Sequence, residues 1–238
     1  MKSHVSIILC HYSKIDDSGE TAAGKNPPKR SDLLRIAIDA LLKNTNYPAE
    51  LIVCDNGGEP DDSEYLLGLA RIGKLTHIRF PNNLHFAFVW NAGARLATGD
   101  PLCFICNDIE VLPNWLPECM RILDEHKGEK VIATPFVTYD KRKMNGVLEN
   151  GDRTNPRAGS NCLVIRREDF AVMGDWPHHR IGGTIWYNLL KQKGYTTIAP
   201  PKDLAGDRGW RHGLNFDIDI EVKKTLLDGS EVDFAFYG

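Results

Sequence analysis

The residues best suited to chemistry stand in one short stretch, residues 102–116, LCFICNDIEVLPNWL. Its first five residues are apolar and suit a strand buried on both faces. Polarity then changes abruptly at Asn107, Asp108 and Glu110. Carboxylates at the carboxyl end of a buried strand sit where open α/β sheets bind ligands. Asp108 and Glu110 are two apart, so on an extended chain their side chains leave on the same side. Hard oxygen ligands so placed suit Mg2+ or Mn2+, ions that also hold substrate phosphates. A solvated turn closing a core strand accounts for the same residues equally well at this stage.

The elements that must position these carboxylates can be read in order. Residues 5–10, VSIILC, form a first buried strand, and 11–30 a long polar loop without periodicity. Residues 31–44 predict an amphipathic helix with Leu34, Ala37, Ile38, Leu41 and Leu42 on one face and Ser31 or Asp32 as its cap. A second strand, 49–54, is closed by Asp55, Asn56, Gly57 and Gly58. A short helix over 63–72 leads to a third strand, 75–80. A helix over 85–97, with Phe88, Ala92, Arg95 and Leu96 at helical spacing, leads to the strand at 102–106. Strands alternating with helices predict a parallel sheet with right-handed crossovers.

The carboxyl-terminal stretch has a different rhythm. Phe216, Ile218, Ile220 and Val222 alternate with charged residues, Asp228-Gly229 is a hairpin signal, and Val232, Phe234 and Phe236 alternate again. This predicts a β-hairpin tail over 213–238. Its apolar face needs cover, from the domain itself or from a second copy in a homo-oligomer.

Composition sets the broad class. At 238 residues, 42% hydrophobic and 26% charged, the chain matches a soluble globular protein with ample core. A net charge of -3 gives no general attraction to nucleic acid or anionic membrane. The apolar run near the amino terminus is too short for a secretory signal, and no run approaches a membrane span. Cys10, Cys54, Cys103 and Cys106 fall in strand-like runs, where cysteine acts as a small hydrophobe. Cys103 and Cys106 form a lone CxxC with no second pair for zinc. The expectation is a reduced, cytoplasmic protein.

The order of several short motifs resembles the family 2 nucleotide-sugar glycosyltransferases of the GT-A fold. They are VSIILCHYSK, LLRIAIDALLKNTNYPAELIVCDNGGEPD, NNLHFAFVWNAGARLATGD and CNDIEVLPNWL. NPRAGSNCLVIRREDFAVMGDW and NLLKQKGYTTIAPP follow in the second half. The resemblance covers most of residues 4–212 and implies an α/β fold: a GT-A, Rossmann-like, mostly parallel sheet flanked by helices. It implies a domain over 1–212, with 1–110 as the nucleotide-sugar half and 111–212 as the acceptor half.

The implied roles can be placed residue by residue. His11, Tyr12 and Asp55 would hold the nucleotide, Asp55 accepting from a base N–H and Tyr12 packing on the ring. Asn91 and Gly93 match the family's Asn-x-Gly, and Arg95, a turn beyond Asn91, would face the diphosphate or else form a surface salt bridge. The metal role falls to Asp108 first and Glu110 second, with Asn107 beside the donor where the commonest form of the motif has another carboxylate. His212 is the candidate for a further metal ligand. Ser160, Asn161 and Trp176 would lie on the acceptor side.

The family's acidic pair, whose Asp takes the acceptor proton, would fall on Gly182 and Gly183, so no carboxylate stands there. Inverting transfer needs a base within reach of the attacking hydroxyl, and a retaining reaction, which need not use one, stays open. The nearby candidates are His179, Asp175 and Asp207, with His179 favoured over His178. The resulting expectation is metal-dependent transfer of a sugar, from a UDP-sugar first and a GDP-sugar second, with Mn2+ or Mg2+ as cofactor. The acceptor hydroxyl stays open: a glycan, a lipid-linked sugar, a protein or a modified nucleic-acid base. Two other readings stand beside it. One is a non-catalytic nucleotide-sugar-binding module. The other, ranked last, is a nucleotidyltransferase.

Overall fold

The computed structural model describes residues 4–13, 30–135, 137–138, 162–178, 182–201 and 204–207. The amino-terminal half is built from β1 (Val5–His11), α1 (Arg30–Asn44), β2 (Ala49–Asn56), α2 (Pro60–Arg71), β3 (Thr76–Phe80), α3 (Phe86–Leu96) and β4 (Leu102–Cys106). Then come β5 (Ile109–Val111), α4 (Trp115–Glu125), β6 (Val131–Ala133) and β7 (Val137–Thr138). The last described elements are β8 (Cys162–Ile165), α5 (Arg167–Met173), α6 (Gly182–Gln192), β9 (Thr196–Ile198) and β10 (Ala205–Asp207).

Among the described residues, one sheet has the order β3-β2-β1-β4-β8-β6-β9, and a smaller one the order β5-β10-β7. Strands β3, β2, β1 and β4 are mutually parallel. The chain moves outward from β1 to β2 and β3, then returns to place β4 on the other side of β1. That reversal opens a crevice between the carboxyl ends of β1 and β4, the place where such sheets take ligands.

β8 departs from the parallel pattern and runs antiparallel to both β4 and β6. Its apolar run was readable, but burial on both faces does not fix a strand's direction. The sheet is mostly parallel, as expected for the GT-A fold.

Alternate strand residues feed opposite layers, as the pleat requires. Ile7, Leu9, Val53, Cys103 and Ile105 pack with Leu34, Ile38 and Leu41 of α1 and with Trp115 and Leu116 of α4. Ile8, Cys10, Ile52, Cys54 and Phe104 pack with Trp90 of α3 and with Trp186 and Leu190 of α6. The six cysteines form no disulfide, and all but Cys106 are buried.

The faces of two helices are settled by packing that spacing alone does not give. In α3, Phe88 and Leu96 are exposed while Ala87, Val89, Trp90, Asn91, Gly93 and Ala94 are buried. The reason is Gly93: a Cβ there would stand 2.5 Å from Ile8 Cγ2 and 3.0 Å from Cys54 Sγ. The helix therefore seats its glycine face directly on β1 and β2, which turns Phe88 outward. In α1, Leu42 lies outside the buried face. Ser31 is not the cap, because the helix begins at Arg30 and the Ser31 hydroxyl is directed at α2.

Among the described residues, no helix is long and apolar enough to cross a membrane. The hairpin expected over 213–238 lies outside the described residues.

Candidate active site at the carboxyl edge of the sheet

β1 and β4 end side by side, with Cys10 opposite Cys106, so the next residues, His11 and Asn107, face each other across the crevice. Asn107 Nδ2 lies 2.8 Å from His11 Nδ1. On its other side the His11 ring reaches Asp62 of α2, with Nε2 at 3.1 Å from Oδ2. Asp62 also accepts from Ser31 Oγ at 2.8 Å and from Arg35 at 3.0 Å. Burial alone would push the Asp62 carboxyl up. Hydrogen bonds from His11, Ser13, Ser31 and Arg35 outweigh it and hold the group well below the usual carboxylate range.

Asp55, at the end of β2, is equally enclosed. Its Oδ1 accepts from the Gly58 N–H at 2.8 Å. Its Oδ2 accepts from Ser63, and has His77 at 3.4 Å and Arg79 at 3.3 Å. Burial is again outweighed by hydrogen bonds, from His77, Ser63 and Gly58, and the Asp55 carboxyl is lowered. This carboxylate closes the β2–α2 turn. The N–H groups it accepts are the chain's own, in place of the nucleobase N–H expected from the sequence. Asn56 ties the same turn to the next loop, donating to Asn83 Oδ1 at 2.8 Å and accepting from the Leu84 N–H at 2.8 Å.

The metal candidates follow at once. Asp108 lies in the turn after β4, half-buried, and Glu110 in β5, also half-buried. β5 pairs antiparallel with β10, which sets Glu110 opposite Gly206 and Asp207 opposite Ile109. The backbone thus brings Asp207 into register with the acidic stretch. Among the described residues, no three His, Cys, Asp or Glu side chains gather closely enough to hold a metal ion. Asp108 and Glu110 still fit Mg2+ or Mn2+ by the chemistry of their oxygens. These ions bind through one or two protein carboxylates and take their other ligands from water and phosphate.

Other sequence candidates stand elsewhere. Asn91 is buried and exchanges two hydrogen bonds with the Trp176 backbone, donating to its carbonyl at 3.0 Å and accepting its N–H at 2.9 Å. Its amide latches α3 to the segment after α5 and is not turned to a donor. Arg95 is paired with Asp175, and both are more than half exposed. Arg95 sits in the last turn of an 11-residue helix that begins at the ligand edge, so about 14 Å of helix separates it from that edge. The salt-bridge reading of Arg95 therefore fits the structure, and the same pair occupies Asp175.

Trp176 is 1% exposed. Its ring stacks on Trp186 at 4.1 Å and packs against Trp90 at 4.9 Å. It is a core residue, not an acceptor platform, because the Asn91 latch draws its backbone inward. Tyr12 is half-buried just after β1. Ser160, Asn161, His179 and His212 lie outside the described residues.

Sequence reasoning missed Asp62. A signal existed: Asp62 stands one helical turn before Leu66, on the buried face of α2, where a carboxylate needs partners.

The comparisons with known proteins agree with this geometry. The model of glycosyl transferase family 2 matches residues 29–194, well over half of the chain. The O-antigen biosynthesis protein RfbC of Myxococcus xanthus is 33% identical over 176 residues, 61% of this chain and 14% of that protein. The uncharacterized protein y4gI of Sinorhizobium fredii is 26% identical over 172 residues, 60% of this chain and 19% of its own length. The chain thus spans less than a fifth of either curated relative. Among solved structures, the mannosyltransferase PcManGT of Pyrobaculum calidifontis, in complex with GDP-Man and Mn2+, superposes with a TM-score of 0.66 at 16% identity. That likeness covers 90% of this chain and 59% of the other. GalNAc-T7 with UDP, GalNAc and Mn2+ gives 0.61 at 15% identity, over 89% of this chain and 44% of the other. At such identities these structures speak for the fold, which is GT-A. The family match, which begins after β1 and runs through β4 and the acidic stretch, shows that the chain belongs to glycosyl transferase family 2.

Proposed function

We propose that this chain transfers a sugar from a nucleotide-sugar donor, a UDP-sugar before a GDP-sugar, to an acceptor hydroxyl. Mn2+ or Mg2+ would be held by Asp108 and Glu110. The observation that carries the reading is the position of the acidic stretch: directly after β4, beside the end of β1, at the reversal of strand order. Relatives of the same fold crystallise with GDP-Man and Mn2+ and with UDP, GalNAc and Mn2+, which supports both donor classes.

Bound there, a divalent ion supplies a Lewis acid that offsets the charge on the departing nucleoside diphosphate. Asp108 and Glu110 contribute the protein oxygens. Tyr12 borders the crevice and offers a ring to the base. Of the candidate bases, Asp175 is engaged by Arg95, while Asp207 lies in β10, the strand next to the one that carries Glu110. His212, as a further metal ligand, and Ser160 and Asn161, on the acceptor side, belong to the same reading.

The test is release of nucleoside diphosphate from a panel of UDP- and GDP-sugars with Mn2+, in wild type and in Asp108→Ala. The variant is expected to lose about 10²–10³-fold in rate with its fold intact, the scale of removing one electrostatic stabiliser of the transition state. An unchanged rate sinks the metal assignment. Release of pyrophosphate instead would identify a nucleotidyltransferase.

One observation favours the second reading, a binding module. Gly182 and Gly183 open α6 where the family's acidic pair would stand, leaving no carboxylate at that point. Nucleotide binding without turnover on any donor and acceptor pair would decide for the module.

A further inference from the structure

Asp62 has no role in the chemistry proposed above, yet it is the hub of the polar network at the crevice. Its side chain and that of His11 are both 0% exposed. Bringing a carboxylate and an imidazole this far from water is costly unless every polar atom is engaged. The engagement has a direction. A carboxylate can only accept, so the His11 Nε2 facing Asp62 at 3.1 Å must carry a hydrogen. An imidazole with its hydrogen on Nε2 has a bare lone pair on Nδ1. Asn107 Nδ2, a donor, stands 2.8 Å from that lone pair.

We infer that Asp62 and His11 are positioning residues for the Asn107–Asp108 turn: Asp62 selects the His11 tautomer, and His11 thereby fixes the amide of Asn107, the residue next to Asp108. Ser31 and Arg35 of α1 occupy the other acceptor sites of Asp62, so the carboxylate cannot swing away. The chain of contacts runs from α1 through α2 and β1 to β4, crossing the reversal of strand order that makes the crevice. It specifies the setting of the first metal carboxylate from two fully buried side chains, those of Asp62 and His11. This inference rests on the reading of Asp108 as a metal ligand.

Two substitutions separate positioning from plain structural support. His11→Asn keeps an amide oxygen near the place of Nδ1, able to accept from Asn107, but cannot reach Asp62. His11→Gln keeps a donor near the place of Nε2, able to satisfy Asp62, but leaves Asn107 without its acceptor. Binding of Mn2+ to the full chain with UDP present, followed by electron paramagnetic resonance, is expected to weaken about ten- to a hundredfold in His11→Gln, the range for groups that orient a metal ligand without touching the metal. In His11→Asn it should stay within a few-fold of wild type. Equal losses in both, or losses that follow the melting temperature alone, overturn the inference.

Long-range 1H–15N NMR of the histidine-labelled wild-type chain gives a second readout, independent of metal. The expected pattern for His11 is the Nε2–H tautomer, with that preference lost in Asp62→Asn. An Nδ1–H or doubly protonated ring in wild type overturns the inference. If wild type binds no Mn2+, the metal reading of Asp108 fails by itself, and the NMR pattern still decides the relation of Asp62, His11 and Asn107.

Discussion

Around His11 the contacts are directed hydrogen bonds, while around Trp176 they are mostly ring on ring. In the first region Asp62, Ser31, Arg35 and Asn107 each meet a named atom at a fixed distance. In the second, Trp176 packs with Trp90, Trp186, Phe86 and Phe104, and the indole N–H groups of Trp90 and Trp176 have no hydrogen-bond partner among the described residues. Burial of aromatic area is large and tolerant of angle, so it outweighs an unpaired N–H. A polar network gains little net free energy but accepts few geometries. The region beside the candidate chemistry uses the exacting kind of contact, and the region that carries the second half uses the tolerant kind.

The contrast can be broken from the aromatic side first. Trp176→Ala is expected to cost about 3–5 kcal/mol, the usual range for removing a fully buried aromatic. Chemical denaturation would measure it, and a loss below about 1 kcal/mol would remove the stack from its structural role. Gly93→Ala comes next, at about 1–3 kcal/mol, because the added methyl meets Ile8 and Cys54 where neither has room. Denaturation of that variant should show a lowered midpoint with an unchanged slope.

The polar side is sharpened by acid. The Asp62 and Asp55 carboxyls are lowered in the folded chain, so their stabilisation is complete above the unfolded value of about 3.9 and is lost as pH falls below it. Wild type should therefore lose stability steeply below about pH 4, and Asp62→Asn should flatten that fall. A variant as acid-sensitive as wild type would mean that other carboxylates carry the dependence. The smallest effect is expected from Arg95→Ala. An ion pair this exposed contributes about 0–1 kcal/mol. Melting temperature and donor turnover should both stay close to wild type, whereas a large rise in donor KM would return Arg95 to the diphosphate.

What the sequence disclosed follows the same division. β1, β2 and β4 were legible because each is a continuous apolar run, and β4 has the expected bounds. β6 and β9 were not, because three residues carry no period. Helical spacing placed α3 but did not tell its buried face, since Phe88 and Leu96 are exposed. The deciding fact is the fit of Gly93 against β1 and β2. The acidic stretch could be located from its own residues. The network around Asp62 could not, since His11 lies 51 positions before it and Arg35 27. Such partners meet only after the sheet has formed.

The pairing of β5 with β10 bears on the order in which the molecule is made. Glu110 takes its place beside Gly206, a partner about 100 residues later in the chain, and contacts so distant in sequence are slow to close. During synthesis the sheet around β1 can assemble while the edge next to the acidic stretch still waits for β10. The proposed site would then be completed only after residue 206 has been made, long after the strands around β1.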